Sequence, residues 1–255
     1  MTFLLAIDIG NTRISWALFR EGKLFEKGYL DDLTTEDLAP LIEGRGVEGC
    51  VFASVVPAKT AKLRASLTSL VPNLPLAEAN WDAIEKLIPH AIKVKGMTPG
   101  ADRAVNAYRL YREGLFPAVS VDAGTALTTE IINKDGIFLG GVIVPGARLQ
   151  FQSLAKNTAQ LGGLEFPEKT DGLFGDSSET AMANGIGQII TLGMIELLAR
   201  TEKNVLKERF KKVVFTGGGA ELYHAAAKER FPFAEWDPDF TLKALEMYFR
   251  ETSCV

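Results

Sequence analysis

The sequence has few of the residues that build disulfide frameworks and zinc sites. Its 255 residues include two cysteines and two histidines. Cys50 and Cys254 lie near opposite ends of the chain, and no CxxC motif is present. Disulfide scaffolds and zinc sites require clusters of such residues. Neither kind of site is therefore supported.

An excess of positive charge and long apolar runs are also missing. The 28 Lys and Arg residues are scattered and outnumbered by 32 Asp and Glu, which gives a net charge of −4. Nucleic-acid-binding proteins carry a basic patch or stripe instead. No charged segment precedes an apolar stretch at the N-terminus, and no window approaches the roughly 20 apolar residues that cross a bilayer. We expect a cytoplasmic protein that binds neither nucleic acid nor membranes.

Two passages of the sequence share one pattern. In each, an apolar strand ends in an aspartate, a small-residue loop with glycine and threonine follows, and an alternating run leads to a turn glycine. Asp8 and Gly22 are 14 residues apart, and Asp122 and Gly136 have the same separation. A period of 114 residues is too long for a solenoid repeat, so the pattern predicts two related α/β halves.

Further strand–loop–helix segments extend the repeat. They are CVFASVVP at 50–57 and VVFTGGGAEL at 213–222, and helical spacing is present over 102–113 and 179–200. We expect an N-terminal half at 1–115 and a C-terminal half at 116–255. A cleft between the halves is then the expected ligand site.

The two small-residue loops have the chemistry of a nucleotide site. Glycine lets backbone N–H groups approach phosphate oxygens, threonine adds a hydroxyl, and carboxylates hold Mg²⁺ directly or through water. A turn without a ligand is the alternative, although the duplication of the loop disfavours it. The chain contains no GxxxxGK[ST] motif and therefore no P-loop, and the glycine loop FTGGGAEL at 215–222 does not follow the GxGxxG dinucleotide pattern.

Five segments, in this order and over nearly the whole chain, make the sequence similar to the type III pantothenate kinases. They are DIGNT at 8–12, GADR at 100–103, DAGTALT at 122–128, GGVIVPG at 140–146 and TGG at 216–218. The resemblance implies two duplicated ribonuclease H-like halves, as in actin-like ATPases, around a central nucleotide cleft. It also implies ATP-dependent phosphorylation of pantothenate, the first step toward coenzyme A, by a homodimer that needs Mg²⁺ and a monovalent cation, K⁺ or NH₄⁺.

The resemblance also implies roles for individual residues. Asp102 is the expected base that takes the proton of the substrate hydroxyl, because a carboxylate within hydrogen-bond reach can accept that proton during phosphoryl transfer. Asp8 is expected to hold magnesium through phosphate or water, and Asp122 to bind the monovalent cation. The remaining implied residues bind ATP (Asp8, Gly10, Asn11, Thr12, Arg13, Thr125, Gly217, Gly218) or pantothenate (Gly100, Ala101, Asp102, Arg103, Ser178).

Alternatives at these positions stay open. Asp102 can serve as a helix N-cap, with Arg103 on a solvated face. Lys93 stands where the family usually has tyrosine, Gly96 where proline is common, and Glu130 where aspartate is usual. These departures admit two other functions: a non-catalytic, regulatory relative, and a kinase for a different small hydroxy acid.

Overall fold

The computed structural model describes residues 2–91, 99–167 and 172–253, with the side chain of residue 222 left out. Lys93, Gly96 and Cys254 lie outside the described residues. The chain divides into two compact units, one made of Met1–Glu113 with Asp239–Val255 and the other of Gly114–Pro238.

Among the described residues, the first unit is built on a five-stranded sheet in the order β3-β2-β1-β4-β5. Its strands are β1 (Phe3–Ile9), β2 (Ile14–Arg20), β3 (Lys23–Leu30), β4 (Val47–Ser54) and β5 (Leu76–Glu78). Its helices are α1 (Thr35–Ile42), α2 (Pro57–Leu70), α3 (Trp81–Leu87), α4 (Ala101–Glu113) and, near the end of the chain, α8 (Phe240–Ser253). Strand β1 is antiparallel to β2 and parallel to β4.

The described part of the second unit contains a six-stranded sheet with the order β11-β10-β6-β7-β8, and β9 pairs with β7. The strands are β6 (Ala118–Ala123), β7 (Ala126–Ile132), β8 (Phe138–Gly140), β9 (Ile143–Pro145), β10 (Lys212–Thr216) and β11 (Glu235–Trp236). The helices are α5 (Ala147–Asn157), α6 (Ser178–Arg200), which continues as a π-helix at Thr201–Leu206, and α7 (Ala220–Ala227).

The two sheets repeat one topology, as the sequence pattern predicted. In each sheet, the first strand in chain order pairs antiparallel with the first strand of the hairpin that follows it. The same strand pairs parallel with a strand that comes later in the chain. The predicted hairpin turns are confirmed, since Gly22 and Gly136 have φ angles of 77° and 76°. A positive φ angle is unstrained in glycine, so these turns close without steric cost.

Central strands β1 and β6 are almost wholly buried, because parallel pairing and flanking helices cover both faces of a sheet. In β1, the residues Leu5, Ala6 and Ile7 have no exposed surface. In β6, the same holds for Val119 and Val121. A polar side chain near the end of such a strand is therefore held by a rigid core.

The last helix, α8 (Phe240–Ser253), belongs to the first unit rather than to the half at 116–255. It packs on α4 and β1, where Phe240 and Leu245 have no exposed surface. The Tyr108 hydroxyl donates to Glu251 Oε2 at 2.6 Å. The expected boundary followed chain order, and no local signal in the sequence marks the return of the chain.

One described helix, running over Ser178–Leu206, is long and apolar enough by length and composition to cross a membrane, with a mean hydropathy of 1.4. The helix is not an uninterrupted run of roughly 20 apolar residues, the feature that the sequence was expected to lack, because polar residues such as Asn184, Gln188 and Thr191 stand within it. In the fold, Ile186, Ile190 and Met194 pack into the core of the second unit. A helix that covers a sheet in this way also meets a hydropathy test.

Candidate active site

The first small-residue loop follows the end of β1. Asp8 is the penultimate residue of this strand and pairs with Ser15 on one side and Ala53 on the other. The Gly10 N–H donates to the Arg13 carbonyl at 2.9 Å, which closes the loop as a tight turn. Beyond the strand, the side chains of Asn11, Thr12 and Arg13 are exposed. The loop therefore presents polar groups to a ligand from a rigid base.

The second loop repeats this arrangement in the other unit. Asp122 is the penultimate residue of β6 and pairs with Thr128 and Thr216. The Gly124 N–H donates to the Ala126 carbonyl at 3.0 Å, and Thr125 is exposed. The predicted equivalence of the two aspartates therefore holds in local structure.

Gly217 lies directly against Asp122. Its φ angle is +87°, and a Cβ at this position would overlap Asp122 Oδ1 and lie 2.8 Å from the backbone of Ala123. Gly219 N–H donates to the Ala123 carbonyl at 3.0 Å, which holds the TGG segment on the end of β6. Glycine at 217 is thus required for the carboxylate to lie beside this loop.

The candidate acceptor segment begins α4. The carbonyl of Gly100 accepts the N–H groups of Arg103 and Ala104 at 3.2 and 3.4 Å, so Gly100 caps the helix and Asp102 lies in its first turn. Asp102 Oδ1 accepts the N–H of Arg103 at 2.8 Å. The alternative that placed Arg103 on a solvated face is wrong, since Arg103 is only 6% exposed.

Burial raises the pKa of the Asp102 carboxyl above its usual range, against the lowering effect of the Arg103 N–H and the Arg103 charge. A raised pKa brings a carboxylate closer to the value suited to a general base at neutral pH. Perturbed pKa values of this origin are typical of functional sites. The raised pKa and the place in the first turn of α4 are both compatible with the predicted role of Asp102 as a base.

Trp81 binds the backbone of the acceptor segment Gly100–Arg103 and was not predicted from the sequence. Its indole N–H donates to the Gly100 carbonyl at 3.1 Å, and the side chain is 3% exposed. It also lines a cavity of about 620 Å³ beside Val55 and Gly100. A Cβ on Gly100 would lie 2.5 Å from Asp102 Oδ1 and 3.0 Å from Val55. The hydrogen bond from Trp81 and the absence of a Cβ at Gly100 together determine the position of the backbone that carries Asp102.

We expect Trp81→Phe to raise KM for the acceptor about fivefold with a smaller change in kcat. The substitution removes one neutral hydrogen bond, worth about 1 kcal/mol, and keeps an apolar ring in place. Steady-state kinetics with the acceptor varied measure this split. Trp16→Phe is the matched control, because Trp16 is a buried tryptophan of the same unit that packs on Gly28. Equal KM values for the two variants would contradict the role of Trp81.

Ser178, which was predicted to bind pantothenate, and Glu130, which departs from the family's usual aspartate, lie in other settings. Ser178 begins α6 in the second unit, whereas Gly100–Arg103 lie in the first. It is exposed, and its neighbour Ser177 caps the helix by accepting the N–H of Thr180 at 3.1 Å. Glu130 has no exposed surface and accepts the Ser120 hydroxyl at 2.8 Å. Glu130 thus lies inside the sheet, on the face that also carries Asp122.

The residues of the site fit a metal ion that is bound mainly by the phosphates of a substrate and only in part by protein side chains. Within the described ranges, no three His, Cys, Asp or Glu side chains form a group able to hold a metal ion. Mg²⁺ in phosphoryl-transfer enzymes is typically bound by one or two carboxylates together with substrate phosphates and water. Asp8 at the end of β1 meets this requirement.

Solved structures of other proteins have the same fold as this chain. A hexokinase of the ROK type from Thermus thermophilus matches 99% of this chain and 100% of its own, with 14% identity and a TM-score of 0.52. Component A of the (R)-2-hydroxyglutaryl-CoA dehydratase from Acidaminococcus fermentans matches 99% and 100%, with 13% identity and a TM-score of 0.53. At these identities the likeness concerns the fold alone, which is that of the actin-like ATPases.

Comparison of sequences then identifies the family. A family model described as type III pantothenate kinase matches residues 4–201. Type III pantothenate kinases from Acidiphilium cryptum and Agathobacter rectalis are 32% and 29% identical, over 95% and 97% of this chain and 92% and 97% of their own lengths. The chain belongs to the type III pantothenate kinase family.

Proposed function

We infer that the protein is a transferase that moves the γ-phosphoryl group of ATP to pantothenate, forming 4'-phosphopantothenate in the first step of coenzyme A biosynthesis. Family membership supports the reaction. The observation in the structure that carries it is the partly buried Asp102 in the first turn of α4, with a raised pKa and the buried Arg103 next to it. ATP and pantothenate are the expected partners, and the cytoplasm is the expected location.

At the acceptor, Asp102 accepts the proton of the primary hydroxyl as that oxygen attacks the γ-phosphorus. Arg103 offers a planar, charged fork that suits a carboxylate or a phosphoryl oxygen. Gly100 and Ala101 bring the backbone close to the acceptor, and Ser178 supplies a hydroxyl. Each of these assignments is a proposal for the residue concerned.

At the donor, the loop of Gly10, Asn11, Thr12 and Arg13 binds the ATP phosphates. Asn11, Thr12 and Arg13 are its exposed residues, Gly10 keeps the backbone free of a side chain, and Asp8 would hold Mg²⁺ through phosphate or water. The metal supplies charge neutralisation to the phosphates when it is bound. The loop contributes by orienting its donors before ATP arrives, so that little reorganisation accompanies the reaction. In the other unit, Thr125, Gly217 and Gly218 contact ATP.

The monovalent cation is assigned to Asp122. A carboxylate beside a loop whose glycine leaves space for it is a hard oxygen donor, and potassium and ammonium prefer such donors. The proximity of Gly217 to Asp122 Oδ1 supports this assignment, because the loop and the carboxylate form one rigid unit.

A coupled ADP-release assay tests the function. Purified protein is given ATP and Mg²⁺ with pantothenate, with other small hydroxy acids or with no acceptor, each in potassium and in sodium buffer. We expect turnover that requires pantothenate and potassium. ATP binding without turnover would instead identify a non-catalytic relative, and turnover with another hydroxy acid alone would identify a kinase of different specificity.

We propose that the protein is a homodimer joined through the outer face of α6. The face exposes Ile189 and Leu192 at 74% and 63%. The adjoining loop exposes Leu173 and Phe174 at 64% and 84%, and Asn184 Nδ2 fixes it to the helix by donating to the Phe174 carbonyl at 2.8 Å. Large exposed apolar side chains on a helix and on the loop attached to it are the kind of surface that protein interfaces cover.

We expect Leu192→Glu to convert the dimer to a single chain of 27.7 kDa. A buried, unpaired carboxylate at the centre of an interface costs several kcal/mol. Sedimentation equilibrium measures the mass, with Leu115→Glu, a 51% exposed leucine outside this face, as the control. A wild-type protein that sediments as a monomer, or a Leu192→Glu variant that remains a dimer, would refute the proposed interface.

A further inference from the structure

Lys59 contacts the small-residue loop of the first unit from the neighbouring helix. It lies in the first turn of α2, where its side chain is partly buried. Its Nζ donates to the carbonyl oxygens of Gly10 and Asn11, each at 3.0 Å. These two carbonyls belong to the segment that presents its polar groups beyond the end of β1.

The two hydrogen bonds determine where the adjacent N–H groups point. In a trans peptide, the C=O of one residue and the N–H of the next lie in one plane and point in opposite directions. When Lys59 holds the carbonyls of Gly10 and Asn11, the N–H groups of Asn11 and Thr12 are directed away from Lys59. Successive N–H groups that point outward together form a concave site for an anion.

The equivalent loop of the second unit is held by a different group. There the Gly146 N–H donates to the Thr125 carbonyl at 2.9 Å. A backbone N–H thus binds a loop carbonyl in the second unit, as the Lys59 ammonium does in the first. The contact with Lys59 is specific to the first loop.

We propose that Lys59 is a positioning residue for ATP. By binding two loop carbonyls it orients the N–H groups of Asn11 and Thr12 toward the nucleotide phosphates, and its charge adds to the positive potential around them. The inference deepens the proposed function because it concerns the donor side of the same site, and it depends only on nucleotide binding.

The test measures ATP affinity by calorimetry without acceptor, followed by KM for ATP and for pantothenate. We expect Lys59→Met to weaken ATP binding at least tenfold and to raise KM for ATP by a similar factor, with KM for pantothenate and Tm little changed. Lys62→Met is the control, because Lys62 lies one turn along α2 and pairs with Asp32 instead. It should bind ATP as the wild type does.

Chemical rescue separates orientation from general structural damage. In a Cys254→Ser background, Lys59→Cys should lose ATP affinity, and alkylation with bromoethylamine should restore it by returning an ammonium at nearly the original distance. Cys50 is buried and burial raises its thiol pKa, so it should not react.

Wild-type ATP affinity in Lys59→Met, or affinity that alkylation does not restore, would overturn the inference. Equal losses of ATP binding, pantothenate binding and thermal stability would also overturn it. If the wild type binds ATP without phosphorylating pantothenate, the proposed function fails while the calorimetric test of Lys59 remains valid.

Discussion

Replacing Asp102 with asparagine is expected to lower kcat by about 10²- to 10⁴-fold, the usual contribution of a general base. Asparagine keeps the shape of the side chain and an oxygen that accepts the Arg103 N–H, but it cannot take a proton. Substrate affinities should change little. The comparison requires single-turnover kinetics at saturating substrates, with Asp31→Asn, an exposed aspartate of the same unit, as the control.

The same substitution should leave the fold at least as stable as the wild type at neutral pH. Burial raises the pKa of Asp102 from its ordinary value of 3.8, so its contribution to stability is present below that value and is lost as pH rises through the folded-state pKa. Asparagine removes the cost of the buried charge. Thermal unfolding of both proteins from acid to neutral pH measures this effect. The Tm of Asp102→Asn should exceed the Tm of the wild type by an amount that increases with pH.

The pH dependence of the reaction should follow from the same shift. Wild-type kcat/KM should fall as pH drops through the raised pKa of Asp102, because the base becomes protonated. A kcat within twofold of wild type in Asp102→Asn would assign the proton transfer to another group.

Gly217→Ala is expected to be the most damaging single substitution in the second unit's loop. A positive φ angle of 87° and a clash with Asp122 Oδ1 each contribute about 1–3 kcal/mol of destabilisation. Displacement of the carboxylate should also abolish the response of the rate to potassium. Denaturant unfolding and potassium titration of the rate measure the two effects.

Two controls separate backbone strain from overlap. Gly163 has a φ angle of 81°, and a Cβ there would meet nothing within 4 Å, so Gly163→Ala introduces strain without overlap. Gly219 lies in the same loop as Gly217, and a Cβ there would be at an ordinary distance of 3.4 Å from its nearest neighbour. We expect the loss of stability to decrease from Gly217→Ala to Gly163→Ala to Gly219→Ala. A Gly217→Ala protein that retains full potassium dependence would show that Asp122 does not hold the cation.

The duplication was predictable from the sequence because it is local. An apolar strand, a strand-end aspartate and a hairpin turn recur with equal spacing, and each of these features depends on residues close in the chain. Helix α8 was misplaced for the opposite reason. Its packing on α4 depends on contacts between residues far apart in sequence, such as Tyr108 and Glu251.

Some residues of the candidate site could be predicted from the sequence and others could not. Asp8, Asp102 and Asp122 stand in short motifs with chemical meaning, so their candidacy was visible in the sequence. Lys59 and Trp81 were missed because each donates to a backbone carbonyl, and such a contact places no requirement on the residue type of its partner. The burial of Arg103 was likewise invisible, since a basic residue in a helix is usually exposed.

The transfer of the γ-phosphoryl group to the primary hydroxyl of pantothenate is tested most directly by ³¹P NMR of the reaction mixture. Purified protein, ATP, Mg²⁺, potassium and pantothenate are incubated, and the proton-coupled spectrum is followed over time. We predict a new phosphomonoester signal split into a triplet by an adjacent CH₂, appearing at the rate at which ADP forms. Inorganic phosphate alone, or a phosphomonoester split into a doublet by a single CH, would contradict the reaction assigned to this site.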